Sequence, residues 1–284
     1  MAEVKAAAPR PNVTNGNRAG KPKNSNNFWI NLAVVGGCVV LGFIIWQYVL
    51  GSPSNFKDFE HNKYEKAMNA LGTMYQGGIV VPVLLATLLT LLCFIVERTL
   101  TIIKAKGRMD AGEFVRKVQY HLANKNVDAA IAECDKQAGS VGNVMRSGLV
   151  KYREMTTETH MDTKTKVLNI SKDIEEATAL ELPMLEKNLV FLSTIASCAT
   201  LLGLFGTVLG MIRSFAAMSN AGAPDATALA SGISEALNNT ALGIFTSFLA
   251  IIFYNLFTTI IDGVTFGIDE SGFTLTQSFE ATYK

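Results

Sequence analysis

Charge is scarce in this chain: 17% of its 284 residues are charged against 49% hydrophobic, and the mean hydropathy is +0.26. That balance is high for a soluble domain and predicts a membrane protein. A formal net charge of +1 supplies no basic field of the kind that phosphate backbones require, so nucleic acid has no electrostatic support as a partner. Cysteine is sparse as well. Cys38, Cys93, Cys134 and Cys198 form no C-x-x-C pair, and three of them lie inside apolar runs, which fits small buried hydrophobes rather than a disulfide framework or zinc ligands. His61, His121 and His160 are scattered without metal-ligand spacing, as ordinary surface positions would be. The apolar runs hold no paired aspartates, no Ser/His set and no H-E-x-x-H, and the polar stretch holds no Gly-rich phosphate loop. An enzyme is therefore not expected, nor a resident metal or cofactor.

What the chain does have is long apolar runs. Residues 28–50, FWINLAVVGGCVVLGFIIWQYVL, carry no charge, and about 20 such residues in a helix cross ~30 Å of hydrocarbon. The rival reading, a cleaved signal peptide, calls for a shorter apolar core and an A-x-A-like site. Trp29, Trp46 and Tyr48 near the two ends suit the aromatic belt of a retained span. A second span is expected over 78–103, with Pro82 in its first turns, where a missing N–H costs least. Its apolar run stops abruptly at Glu97-Arg98. The third span is expected over 189–218 and the fourth over 229–262, the last long enough to tilt or project from the bilayer.

Between the spans, 1–27 lacks any apolar period and is expected to be a disordered tail. The segments 51–77 and 219–228 are expected as loops on one side of the membrane, the first allowing a short amphipathic helix. Residues 104–188 are polar, with Phe114, Val118, His121 and Leu122, then Val127, Ala130, Ile131 and Cys134, recurring at helical spacing. This predicts a helical domain. The Lys/Arg bias places 1–27 and 104–188 in the cytoplasm, and an even number of spans returns the acidic tail 263–284 to the same side, so that both termini are expected inside. The fold class is thus all-α, with four transmembrane helices and a cytoplasmic helical domain.

Two of the spans carry faces of small, partly polar residues. Ser193, Ser197, Thr200, Gly203, Thr207, Gly210 and Ser214 step by three or four along the third, and Ala236, Thr240, Gly243, Ser247, Ala250 and Tyr254 along the fourth. Gly206 and Gly210 form a GxxxG pair, the kind of sequence that lets helix backbones approach closely in lipid. Such faces serve plain helix packing or a polar pathway, since Ser and Thr can bond to carbonyls of their own helix. Glu235, with Asn238 and Asn239 beside it, favours the pathway. An ionisable group at the edge of a span costs several kcal/mol unless it faces an interior, a cavity or a partner. The alternative for Glu235 is a solvated residue at the outer end of an overlong helix.

The stretch LLGLFGTVLGMIRSFAAM, followed after a short loop by ALASGISEALNNTALGIFTSFLAIIFYNLF, resembles the core of the MotA/TolQ/ExbB proton channel family, and within it ExbB most and TolQ next. The resemblance covers about 70 residues. It implies a homopentameric ring around a pair of single-span helices from an ExbD/TolR-like subunit, which supplies the titrating aspartate. It further implies a bacterial inner-membrane motor that converts ion flow into work on the outer membrane, most often in TonB-dependent uptake, with a TonB-like protein as a further partner. Tol-type, gliding or flagellar-stator-like motors and a self-sufficient channel or transporter are the alternatives. Carried over by motif, Thr207 and Thr240 correspond to pore threonines, Glu235 and Asn239 to the ion path, and Gly203, Gly206, Gly210 and Gly243 to close packing against the central helices. Protons are the favoured ion and sodium the alternative. The chain departs from the pattern at Ala199-Thr200, where the family often has proline, and in its additional first span, 28–50.

Overall fold

The computed structural model describes residues 24–60, 63–67, 69–220 and 226–283. Most of the expected N-terminal tail, His61 and part of the 219–228 connection lie outside the described residues. Four helical runs are long and apolar enough to cross a membrane, within Trp29–Leu50, Val80–Ala123, Thr163–Ala216 and Leu229–Thr282.

Helix α1 (Asn24–Ile44) runs into a π-helical turn, Ile45–Leu50. It packs along α3 (Val80–Lys106), closest at Gly42, where a Cβ would lie 2.9 Å from the carbonyl oxygen of Pro82. Pro82 falls in the first turn of α3, whose N–H groups have no intrahelical acceptor in any case. Cys38 is buried with its Sγ 3.8 Å from that of Cys93, and all four cysteines are free. Trp29 and Tyr48 face outward, but Trp46 turns inward and stacks on Tyr75, with ring centroids 4.8 Å apart. Of the three residues expected in an aromatic belt, two therefore face outward.

The connection from α1 to α3 differs from the expected loop. A short antiparallel hairpin, β1 (Phe56–Glu60) and β2 (Lys63–Ala67), pairs Phe56 with Ala67 and Glu60 with Lys63. Aromatic residues at 56, 59 and 64 raise strand propensity over a stretch that has no helical period. Helix α2 (Ala70–Tyr75) follows. Apart from this hairpin the described residues are helical or in turns.

Helices α4 (Ala111–Ala123), α5 (Val127–Gln137), α6 (Ser140–Thr157) and α7 (Thr163–Glu186) build a bundle on the far end of α3. Two of its helices begin on side-chain caps: Asp110 accepts from Gly112 N at 3.1 Å and Asn126 from Ala129 N at 3.0 Å. Each such cap contributes about 1 kcal/mol. Phe114, Val118, Leu122, Ala130 and Cys134 point into the core, and burial pushes the Cys134 thiol up to about 12. Gln137, fully buried, joins the bundle to the membrane helix. It donates to Lys106 O at the end of α3 and accepts from Gly139 N and Gly142 N at the start of α6.

The last two helices are α8 (Leu189–Asn220) and α9 (Ala226–Thr282). At 57 residues, α9 extends ~85 Å. It does not end near 262, so the expected 263–284 tail is corrected here: Val264, Ile268, Ser271, Leu275 and Phe279 are buried at helical spacing and pack on the bundle. The acidic composition of that stretch conceals its apolar period.

Candidate functional site

The α8–α9 contact is the most extensive in the molecule, and small residues make it possible. A Cβ on Gly243 would lie 2.6 Å from Ala199 O and 2.8 Å from the Cα of Gly203. One on Gly206 would meet the Asn239 Cβ at 2.6 Å, and one on Gly210 the Ala236 Cβ at 3.0 Å. Ser247 Oγ donates to Ala196 O, and Ser214 Oγ stands where a side chain on Gly232 would go. These glycines, read from sequence as packing on central helices, instead seat one helix of this chain on the other. Lipid offers no hydrophobic gain for helix association, so dispersion and close backbone approach have to supply it.

The structure also divides the small face of α8. Gly203, Gly210 and Ser214 are buried under α9, while Ser197 and Thr200 are exposed and Thr207 is half-buried. Ser197 and Thr207 bond to Ser193 O and Leu204 O of their own helix. Thr207 lines a shallow surface groove of about 470 Å³ with Val208, Met211, Ile212 and Phe215. Thr240 sits at the seam, its Oγ1 donating across to Gly203 O at 3.3 Å. In an α-helix that carbonyl is also the acceptor for the amide of Thr207. The two threonines therefore converge on one turn of α8. Each hydroxyl uses its single donor on a carbonyl and keeps lone pairs free to accept a hydrogen bond from a neighbouring group.

Glu235 lies some one and a half turns before Thr240. Its side chain is 13% exposed and pairs with Arg213 of α8, Oε1 to Nη1 at 2.6 Å. The pair closes against Gly78, whose φ of 72° is a left-handed value; a Cβ there would fall 2.4 Å from Glu235 Oε1. Asn238 donates to Thr73 O and Asn239 to Gly77 O, both at 3.0 Å. These asparagines thus bolt the α2–α3 turn onto α9. Asn239 is fully buried beneath Gly206 and lies with Glu235 against the Gly77-Gly78 turn; of the four pathway candidates Thr207 is the one that lines the groove. Arg213 and the Gly77-Gly78 turn went unassigned in the sequence, although an arginine within an apolar helix signals a buried partner. Among the described residues no cluster of three or more His, Cys, Asp or Glu is placed to hold a metal ion.

Residues 139–269, from the start of α6 through the membrane portion of α9, match the model of the MotA/TolQ/ExbB proton channel family. The chain is 32% identical over 129 residues to the Tol-Pal system protein TolQ of Pseudomonas aeruginosa, covering 43% of this chain and 56% of that one. It is 41% identical over 86 residues to the putative biopolymer transport protein ExbB-like 3 of Synechocystis, covering 30% and 41%. Over 199 residues it is 28% identical to the Tol-Pal system protein TolQ of Haemophilus influenzae, covering 66% and 83%. The aligned stretch thus spans about half the length of the first two relatives. The chain thus combines four helices long and apolar enough to cross a membrane with a stretch, residues 139–269, that is similar to the MotA/TolQ/ExbB proton channel family.

Proposed function

We propose that this chain is the channel-forming ring subunit of an ion-driven motor in the bacterial inner membrane, working with a single-span subunit of the ExbD/TolR type. The observation that carries the reading is the convergence of Thr207 and Thr240 on one turn of α8 at the margin of the α8–α9 contact, where Thr207 opens onto a groove that the chain's own helices leave uncovered. Two hydroxyls with free lone pairs at one level suit a partner carboxyl that alternates between donating and accepting. The membrane segments themselves hold only one acid near this path, Glu235, and it is engaged by Arg213. An external titrating group is what such a path needs.

Protons suit the site better than sodium, because a relay needs only donors and acceptors whereas sodium needs several converging oxygen ligands. The ring is proposed to be a homopentamer around two partner helices, with both termini and the α4–α7 bundle in the cytoplasm. The first part of α1, the end of the apolar run of α3 at Glu97 and the start of α8 meet at one level, as alternating spans require. Work on the outer membrane in TonB-dependent uptake is the leading role, and a Tol-type role is the second, supported by the similarity to two TolQ proteins.

The test is purification of the chain with and without its candidate single-span partner, with stoichiometry and proton flux in liposomes measured on each. A ring enclosing partner helices, with flux that needs the partner's aspartate, is expected. Flux from this chain alone would make it a self-sufficient channel, and no ring in either preparation would remove the motor reading.

A further inference from the structure

The first span is more than an additional anchor: we infer that Asn31 of α1 positions the pore helix α8 by completing a partly buried polar node at the α7–α8 break. The break consists of Lys187 and Asn188, between the end of α7 and the start of α8. Asn188 takes a φ of 65° there, a left-handed value that asparagine tolerates better than other residues with a side chain. What holds it is an unbroken chain of hydrogen bonds. Asn31 Nδ2 donates to Asn188 Oδ1 at 3.0 Å, and Asn188 Nδ2 donates to Glu97 Oε2 at 3.2 Å.

Glu97 is in turn clamped through both oxygens by Arg98, at 2.8 and 2.7 Å. The Arg98 guanidinium is 1% exposed and donates its remaining edge to Leu185 O, a carbonyl in the last turn of α7. Four elements thus meet through one network: α1, α3, the end of α7 and the first residue before α8. Asn188 and Arg98 are buried while Asn31 and Glu97 are only partly so, and it is at buried Asn188 that removing Asn31 leaves an amide oxygen without its partner rather than merely losing one bond. The first turn of α8 is fixed to α3 on the adjoining level by the Phe94–Phe191 stack, with centroids 4.8 Å apart.

An asparagine in an otherwise apolar helix has a simpler explanation, a solvated residue near the membrane surface, and the two explanations predict different behaviour. The experiment is hydrogen exchange, read by mass spectrometry, on the purified full chain in detergent. It compares wild type, Asn31→Leu, Asn31→Gln, Asn188→Gly and the Asn31→Leu/Asn188→Gly double variant. Glycine at 188 keeps the left-handed backbone while deleting the amide. Exchange in peptides covering 186–192 should rise several-fold in Asn31→Leu and in Asn188→Gly, no further in the double variant, and return toward wild type in Asn31→Gln. Peptides from α4–α6 should stay protected.

Unchanged exchange in Asn31→Leu, or additive effects in the double variant, would overturn the inference. If Asn31→Leu loosened the whole bundle, Asn188→Gly alone would decide, since it leaves α1 untouched: local opening supports the node, and none refutes it. Its consequence for ion flow rests on the channel reading and is measured separately, as loss of partner-dependent flux in Asn31→Leu with recovery in Asn31→Gln. Absence of flux in wild type would sink the channel reading while the exchange result still judged the node.

Discussion

Helix α9 packs by two different rules along one continuous rod. Over its first part it meets α8 through Gly232, Ala236, Gly243 and Ser247; beyond Ile261 it meets the bundle through Ile268, Leu275 and Phe279. In the first part the surroundings proposed are lipid, where moving an apolar side chain from tail to protein gains almost nothing, so backbones must come close. In the second the surroundings proposed are water, and each large apolar side chain removed from it contributes about 1.5–3 kcal/mol. The same helix therefore shows small residues where solvent gives no help and large ones where it does.

The sharpest way to break this contrast is to exchange the rules. Phe279→Ala empties a fully buried site where the ring lies edge-on to Tyr152 at 4.8 Å. A cost of about 3–5 kcal/mol is expected, seen as early loss of near-ultraviolet circular dichroism on heating while the α8–α9 pair persists. Gly243→Leu is the reciprocal change. The added side chain would run into the Ala199 carbonyl and the Gly203 backbone, which cannot rotate away, so about 1–3 kcal/mol is expected from overpacking. The measurement is release of an α8–α9 crosslink between introduced cysteines, and the bundle should be unaffected. The smallest effect is Asp110→Ala, which deletes the cap of α4 and should lower the bundle's unfolding free energy by about 1 kcal/mol. An equal loss of α8–α9 crosslinking in that variant would show that the two regions are not separable.

The contrast also explains how much was legible beforehand. Long uncharged runs announce spans because nothing else in a chain needs them, and the core positions of α4 and α5 follow from their period among polar residues. The small faces of α8 and α9 were visible too, but their use was not. Close packing and a polar path draw on the same residue types, so only coordinates separate Gly203 and Asn239, which are buried between helices, from Thr207, which is not. The tail beyond 262 looked like a tail because its acids outweighed its apolar period. Asn31, Asn188 and Arg213 act through partners more than twenty residues away in sequence, and no local pattern encodes such pairs.

The central claim is that Thr207 and Thr240 form the ion path. It is tested most directly by proton flux in liposomes holding the chain with its single-span partner, comparing wild type with Thr207→Ala and Thr240→Val. Thr240→Val is isosteric at the half-buried seam, and Thr207→Ala only trims a side chain on an open groove, so ring assembly should be retained. Flux in each should fall to the level of partner-free liposomes. Wild-type flux in both variants, with rings intact, would contradict the assignment and leave the α8–α9 seam as helix packing alone.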